Sequence, residues 1–211
     1  MMKTKIIIQR HGESAGNANH LYLGHTDMPL TEKGREQARL AAESLRDEKI
    51  DVIYSSDLSR AYQTAEPHAA LRGLSINTSD QLREVFAGDW EGLPNDEIVE
   101  KYTKEFFTRR TYRDFVYPGG ESIPELSLRM YNEIVKIAKE NEGKTILIVS
   151  HSAAIRSFWY YFCGYTTENT VDSVGFMVNT SYSIFYYEDG KFIPGEYGLA
   201  PHLPKDTKYL V

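Results

Sequence analysis

Cysteine is almost absent from this sequence, since Cys163 is the only one among 211 residues. No disulfide can therefore form within the chain, which is typical of a protein from a reducing compartment. No recognised nucleophile motif surrounds Cys163, so we interpret it as a small apolar residue in an aromatic stretch.

Long apolar runs are also lacking. The run near the N-terminus covers only residues 6–8, and the longest aliphatic run elsewhere covers residues 146–149. A signal peptide needs about 7–15 apolar residues and a membrane span about 20. The sequence therefore predicts a cytoplasmic protein with no membrane partner.

The chain has no excess of basic residues. Its 24 lysines and arginines are outnumbered by 30 acidic residues, which gives a formal charge of −6 at pH 7. Because nucleic-acid-binding domains usually carry a basic patch, we expect no nucleic-acid partner. The six histidines contain no metal-binding motif such as H-E-x-x-H, so we expect neither a metal nor another cofactor.

Internal repeats and linker-like tracts are missing too, and the length fits one domain over residues 1–211. Short apolar runs predict strands at residues 5–9, 51–54 and 144–149. The 3.6-residue periodicity predicts helices after Thr31, over residues 58–71, from the capping box of Ser122 and Glu125, and over residues 153–162. Residues 10–30 lack this periodicity and are expected to form a loop or a very short helix. Near the end, residues 188–190 separate two β-rich runs and predict a hairpin.

Strands that alternate with amphipathic helices predict an α/β fold, with helices on both faces of a mainly parallel sheet. The active sites of such sheets lie beyond the carboxyl ends of the strands. The first strand runs into Arg10-His11-Gly12, and the strand at residues 144–149 runs into Ser150-His151-Ser152. Two histidines are therefore expected at the same edge of the sheet.

These residues suit the transfer of a phosphoryl group. A neutral imidazole such as that of His11 is a good nucleophile toward phosphorus. Arg10 offers a planar, permanently charged fork for phosphate oxygens, and Arg60 lies near the start of a helix, where anions are favoured. His151 could stabilise charge on the transferring group. The leaving oxygen needs a proton, and from chemistry alone either Glu84 or Glu91 could supply it.

Several sequence blocks point to one family: IIIQRHGESAGN, LGHTDMPLTEKGREQA, IYSSDLSRAYQTA, LREVFAGDWEGL, GGES and TILIVSHSAAIR. In this order and at this spacing the chain resembles the first branch of the histidine phosphatase superfamily, also called phosphoglycerate-mutase-like. Within that branch it is most similar to the small broad-specificity and ribazole-phosphate phosphatases. The resemblance implies the three-layer α/β/α fold of that family.

The resemblance also implies a role for each site residue. His11 would be the nucleophile, and Glu84 the proton donor. Arg10, Arg60 and His151 would bind the phosphoryl group and act in catalysis. Two further phosphate-binding positions are implied, at Asn17 and at Ser152. Glu91 would then be structural.

Two positions depart from the pattern of the family. Many relatives have glycine where this chain has Ser152, but serine is small and keeps its backbone N–H. Some phosphatases of this branch have glutamine where this chain has Leu23, so we expect a less polar entrance here. Among the other histidines, we expect His20, His25 and His68 at the surface, whereas His202 is expected to be structural.

The sequence thus predicts a metal-independent phosphatase that hydrolyses a small phosphate ester through a phosphohistidine on His11. One alternative is a cofactor-dependent phosphoglycerate mutase, although the Tyr-Tyr-Gly lid element of those enzymes is not found. A second alternative is an inactive module that binds a phosphorylated ligand. Residues 94–120, with Arg109, Arg110 and Arg113, form either a segment that covers the substrate or a solvated helix. The physiological substrate and the oligomeric state stay open.

Overall fold

A computed structural model describes residues 3–108, 114–163 and 177–204. Arg109, Arg110 and Arg113, to which the sequence assigns a possible substrate contact, lie outside the described residues. Within the described ranges, no helix has both the length and the apolar character needed to cross a membrane.

A six-stranded sheet forms the centre of the fold. Its strands are β1 (Thr4–Arg10), β2 (Val52–Ser56), β3 (Ile76–Ser79), β4 (Thr145–Ser150), β5 (Tyr182–Glu188) and β6 (Lys191–Pro194). Their order is β3-β2-β4-β1-β5-β6, in which the first four are parallel and the last two are antiparallel. The predicted parallel sheet with a terminal hairpin is therefore confirmed.

The helices fill the connections between the strands. They are α1 (Ala15–Ala18), α2 (Glu32–Ser44), α3 (Ser59–Arg72), α4 (Asn95–Lys101), α5 (Thr103–Thr108), α6 (Ile123–Glu140) and α7 (Ser152–Cys163). The predicted capping box starts α6: the Glu125 backbone N–H donates to Ser122 Oγ, and the Ser122 N–H donates to the Glu125 carboxylate. Only the short α1 interrupts the loop predicted after β1.

The side chains of β1 show how the layers are held together. Ile6 and Ile8 belong to a core with residues of α6 and α7, whereas Ile7 points to the opposite face and belongs to a core with residues of α3 and with Leu45, which directly follows α2. All three are fully buried, and burying one such side chain contributes about 1.5–3 kcal/mol. Helices thus cover both faces of the sheet, as predicted.

The segment after β3 surrounds the buried indole of Trp90 with aromatic rings. Phe106 and Phe115, which lie on the two sides of the undescribed residues 109–113, have ring centroids 6.0 and 5.9 Å from that of Trp90. Tyr117 packs edge-on at 5.2 Å, and its hydroxyl lies 2.7 Å from that of Tyr22. Both described parts of residues 94–120 are therefore anchored to one aromatic cluster.

The parallel pairing of β1 with β4 sets the two site histidines side by side. Arg10 pairs with Ser150 at the end of the ladder, and the next backbone N–H, that of His11, donates to the Ser150 carbonyl at 3.0 Å. His11 and His151 therefore leave neighbouring strands at the same sheet edge.

The expectation that His68 lies at the surface is wrong. His68 is fully buried, because the face of α3 that carries it is covered and not solvated.

Candidate active site

The ring of His11 is held in one tautomer. Its Nδ1 lies 2.7 Å from the carbonyl oxygen of Gly12. A carbonyl can only accept a hydrogen bond, so Nδ1 must carry the proton. In the neutral ring, Nε2 therefore has a free electron pair.

Burial keeps that ring neutral. The His11 side chain is 4% exposed, and burial lowers its pKa well below the usual value. The nearby charges of Arg60 and Arg10 lower the pKa further. At neutral pH the residue is thus an uncharged base.

His151 has the opposite tautomer. Arg60 Nε donates to His151 Nδ1 at 3.2 Å, and because a guanidinium cannot accept, Nδ1 carries no proton. The neutral ring then bears its proton on Nε2, which is buried and has no hydrogen-bond partner in the described part of the chain. Burial also lowers the pKa of His151 well below its usual value, with Arg60 as the next cause. The His11 and His151 ring centroids are 5.1 Å apart.

Arg60 is one of the largest fully buried side chains, with 1% exposure. It lies in the first turn of α3, and besides His151 it donates to the carbonyls of Thr26 at 2.9 Å and Gly24 at 2.7 Å. Burial lowers its pKa to about 10, and the charge of Glu84 opposes that shift. The guanidinium therefore stays charged at neutral pH.

Arg10 is the last residue of β1 and is also buried. Its Nη1 donates to the Met177 carbonyl at 2.5 Å. Its charge contributes to the lowered pKa values of both His11 and His151. Two permanent positive charges thus stand beside two neutral imidazoles.

The Glu84 carboxyl group lies at the first turn of α7, directly after His151. Oε1 accepts from the backbone N–H groups of Val85 at 3.0 Å and Ala154 at 2.9 Å. Oε2 accepts from the N–H of Ala153 at 3.1 Å. The carboxyl is thereby tied to the helix that begins next to His151.

Glu91, the other candidate acid, accepts hydrogen bonds that link two loops. Its Oε1 accepts from the backbone N–H groups of His25 at 2.7 Å and Ala87 at 3.0 Å, and its Oε2 accepts from Thr26 Oγ1 at 3.1 Å. It joins the loop that bears Gly24 to the turn before Trp90. A Cβ on Gly24 would lie 2.2 Å from Glu91 Oε1, so the two residues are closely fitted.

Asn17 connects to His11 through another asparagine. The amide nitrogen of Asn179 donates to the His11 carbonyl at 3.1 Å and to Asn17 Oδ1 at 3.3 Å. Asn17 Oδ1 also accepts from the Ser14 N–H at 3.2 Å, which closes the capping box of α1. Asn17 is therefore held beside the His11 backbone.

The two departures from the family pattern are Ser152 and Leu23. Ser152 is the first residue of α7 and is buried next to His151. Leu23 is only 7% exposed, and a Cβ on Gly16 would come within 2.3 Å of its side chain. Leu23 therefore packs closely against Gly16 of α1.

Comparison with known proteins identifies the family. The model of the histidine phosphatase superfamily (branch 1) matches residues 6–198. The chain belongs to this superfamily. It is accordingly an enzyme of the histidine phosphatase type.

The similarity of this histidine phosphatase to its relatives extends over nearly the whole chain. Phosphoserine phosphatase 1 of Hydrogenobacter thermophilus is 32% identical and covers 94% of each chain. Phosphoglycerate mutase-like protein 4 of Arabidopsis thaliana is 35% identical over 98% of this chain and 89% of its own length. The structure of a mycobacterial glucosyl-3-phosphoglycerate phosphatase superposes with a TM-score of 0.87 at 26% identity, covering 93% of this chain and 99% of its own.

Sequence reasoning missed two residues that support the site of this histidine phosphatase. Asn179 contacts His11 across 168 positions of sequence and belongs to no recognisable motif. His25, expected at the surface, is partly buried, and its Nε2 donates to the Glu84 carbonyl at 2.9 Å. The position of His25 in the LGHTD block was the sequence feature that could have indicated this contact. Among the described residues, no group of three or more His, Cys, Asp or Glu could hold a metal ion.

Proposed function

We propose that this histidine phosphatase hydrolyses a small phosphomonoester in two steps, through a phosphohistidine on His11 and without a metal ion. The observation that carries the proposal is the pair of opposite tautomers. His11 presents a free electron pair on Nε2, whereas His151 presents an N–H. One ring can therefore attack phosphorus while the other donates to a phosphoryl oxygen.

In the first step, His11 Nε2 attacks phosphorus in line and the bond from phosphorus to the leaving oxygen breaks. The phosphomonoester brings a charge of about −1.5 to −2, which Arg10 and Arg60 balance. The His151 Nε2–H, the backbone N–H of Ser152 and the Asn17 side chain complete the cradle in this proposal. Such fixed donors supply much of the catalysis in phosphoryl transfer.

Glu84 is the proposed acid for the leaving oxygen. Its Oε1 accepts two backbone N–H groups, but its Oε2 accepts only one. A carboxyl oxygen has two lone pairs, so Oε2 retains a position for a proton. That proton passes to the leaving oxygen as the ester bond breaks, and an alcohol departs.

In the second step, water attacks the phosphohistidine. The Glu84 carboxylate takes a proton from this water, the bond between phosphorus and His11 Nε2 breaks, and inorganic phosphate forms. Both the electron pair of His11 and the proton of Glu84 are then restored. The same residue acts first as acid and then as base.

The names of the relatives suggest which esters to try first. Phosphoserine and glucosyl-3-phosphoglycerate, the substrates in two of those names, are both small phosphate esters that carry a carboxylate. We propose this class as the starting point of a substrate screen. The mutase-like relative keeps the mutase reaction as a second candidate, in which His11 returns the phosphoryl group to a bound hydroxyl.

The test is hydrolysis of p-nitrophenyl phosphate in the presence of EDTA, with a 3-phosphoglycerate mutase assay in parallel. We expect hydrolysis by the wild type and its loss in His11→Ala. Rapid quenching into alkaline denaturant during turnover, which preserves the acid-labile phosphohistidine, should trap phosphate on the wild-type protein and none on the variant. His20→Asn is the matched control, because His20 is exposed and asparagine tolerates its left-handed φ of 54°.

Other outcomes would contradict this proposal. Strong isomerisation of 3-phosphoglycerate without hydrolysis would make the chain a mutase. Hydrolysis that EDTA abolishes would exclude the metal-independent mechanism. Tight binding of phosphate esters without turnover in either assay would favour a binding module.

A further inference from the structure

Arg129, an arginine outside the phosphate cradle, binds both Glu121 and three backbone carbonyls of the segment that carries Glu84. We propose that Arg129 is a positioning residue that, together with Glu121, fixes the backbone around Glu84 and so aims its carboxyl group. This inference rests on the role proposed above for Glu84 as the acid.

Arg129 lies on α6, and its side chain is only 16% exposed. Its Nε and Nη2 bind the two carboxylate oxygens of Glu121, each at 2.9 Å. Its Nη1 donates to the carbonyls of Gln81 at 2.7 Å and Arg83 at 3.1 Å, and its Nη2 also donates to that of Glu84 at 3.1 Å. A guanidinium has five N–H donors, so all of them are used here.

Glu121 completes the clamp from the other side. Its backbone N–H donates to the Phe86 carbonyl at 2.8 Å, and its Oε2 accepts from the Phe86 N–H at 3.2 Å. The chain on both sides of Glu84 is thereby tied to one ion pair, formed by Glu121 and Arg129. His25 adds a second donor to the same Glu84 carbonyl.

This arrangement needs a planar, rigid donor. Lysine has only three donors on a flexible stem and cannot bridge a carboxylate and three separate carbonyls at once. Without Arg129, the Gln81 and Arg83 carbonyls lose this donor and the Glu84 carbonyl keeps only that of His25. The segment around Glu84 can then shift to find other partners. A misplacement of about 1 Å at a reacting group can cost as much as 10²-fold in rate.

A positioning role can be separated from mere stabilisation by the choice of leaving group. An alkyl phosphate releases a strongly basic alkoxide that needs the proton of Glu84. 2,4-Dinitrophenyl phosphate releases a weakly basic phenolate that leaves without one. In kcat/KM, which reports only the steps up to departure of the leaving group, damage limited to the acid therefore slows only the alkyl ester, whereas damage to the phosphate cradle slows both.

The experiment compares kcat/KM for glycerol phosphate and for 2,4-dinitrophenyl phosphate in the wild type, Arg129→Met, Arg129→Lys and Glu84→Gln. For Arg129→Met we expect a loss of about 10²-fold on the alkyl ester and little change on the aryl ester. Arg129→Lys should show the same selectivity with only a partial rescue. The matched control is Arg39→Met, since Arg39 forms a similar two-pronged pair with Glu36 on an exposed face of α2.

Equal losses on both esters in Arg129→Met, or no loss on either, would overturn the inference. If Glu84→Gln itself shows no leaving-group selectivity, the acid role of Glu84 is wrong, which is a failure of the proposed function and not of the clamp alone. Should Arg129→Met fail to fold, Glu121→Gln serves in its place, because it keeps the volume and weakens the ion pair. Selective loss on the alkyl ester then supports the inference, and any other result opposes it.

Discussion

His11 and His151 are the same kind of side chain, yet the atoms next to their Nδ1 positions give them opposite tautomers. A carbonyl oxygen faces Nδ1 in His11, whereas a guanidinium N–H faces Nδ1 in His151. Burial lowers the pKa of both rings. Each proposed role therefore depends on a neighbour as much as on the histidine.

Arg60→Lys tests that dependence at a single residue. Lysine keeps the positive charge, but it cannot donate in one plane to His151, Thr26 and Gly24 as Arg60 does. We expect kcat/KM for p-nitrophenyl phosphate to fall about 10²–10³-fold, as when a preorganised donor is lost. Arg35→Lys, on an exposed part of α2, is the control. Activity within a few-fold of the wild type would show that charge alone is sufficient at position 60.

At the scale of elements, local signals decided what could be predicted. α6 has a capping box and a continuous apolar face, so its start was found from sequence. β3 is a four-residue edge strand with two exposed polar positions, and α4 and α5 are short, so none of them shows a clear period. Propensity and period give a weak indication for such short elements, and tertiary contacts decide.

In the candidate site, too, residues with a local sequence signal could be predicted, whereas residues placed by tertiary contacts could not. His11 and His151 were placed together because parallel strands end at one edge, which a sequence can reveal. His68 was misplaced because α3 is covered over a wide arc that includes Arg60, Thr64 and His68, so its sequence shows no clear polar face. The contact of Asn179 with His11 depends on long-range folding and leaves no local pattern.

The aromatic cluster around Trp90 is expected to contribute strongly to stability at the scale of elements. Its rings anchor both described parts of residues 94–120, and Trp90 itself is fully buried. We expect Trp90→Ala to lower the free energy of unfolding by about 3–5 kcal/mol, measured by urea denaturation. Phe107→Ala, at a side chain that is 61% exposed, should cost far less. Similar losses in the two variants would mean that the cluster is not a core.

For the molecule as a whole, buried neutral histidines link folding to pH. Burial lowers the pKa of His68 to about 3 and that of His202 to about 4, whereas an unfolded histidine titrates near 6.5. The unfolded chain therefore binds more protons than the folded one at mildly acidic pH. Stability from these groups is complete above pH 6.5 and is lost as the pH falls toward the folded values.

His68→Leu isolates one such proton. As the pH falls from 6 to 4, a histidine with a folded pKa of about 3, such as His68, should reduce the free energy of unfolding by about 1.4 kcal/mol per pH unit. Carboxylates that titrate in this range affect wild type and variant alike, so the difference between their slopes reports His68. We expect urea denaturation to show a slope shallower by about that amount in His68→Leu. The control is His20→Asn, at an exposed histidine, in which we expect the slope of the wild type. Identical slopes for His68→Leu and the wild type would mean that His68 is already protonated in the folded protein or gains its proton without unfolding.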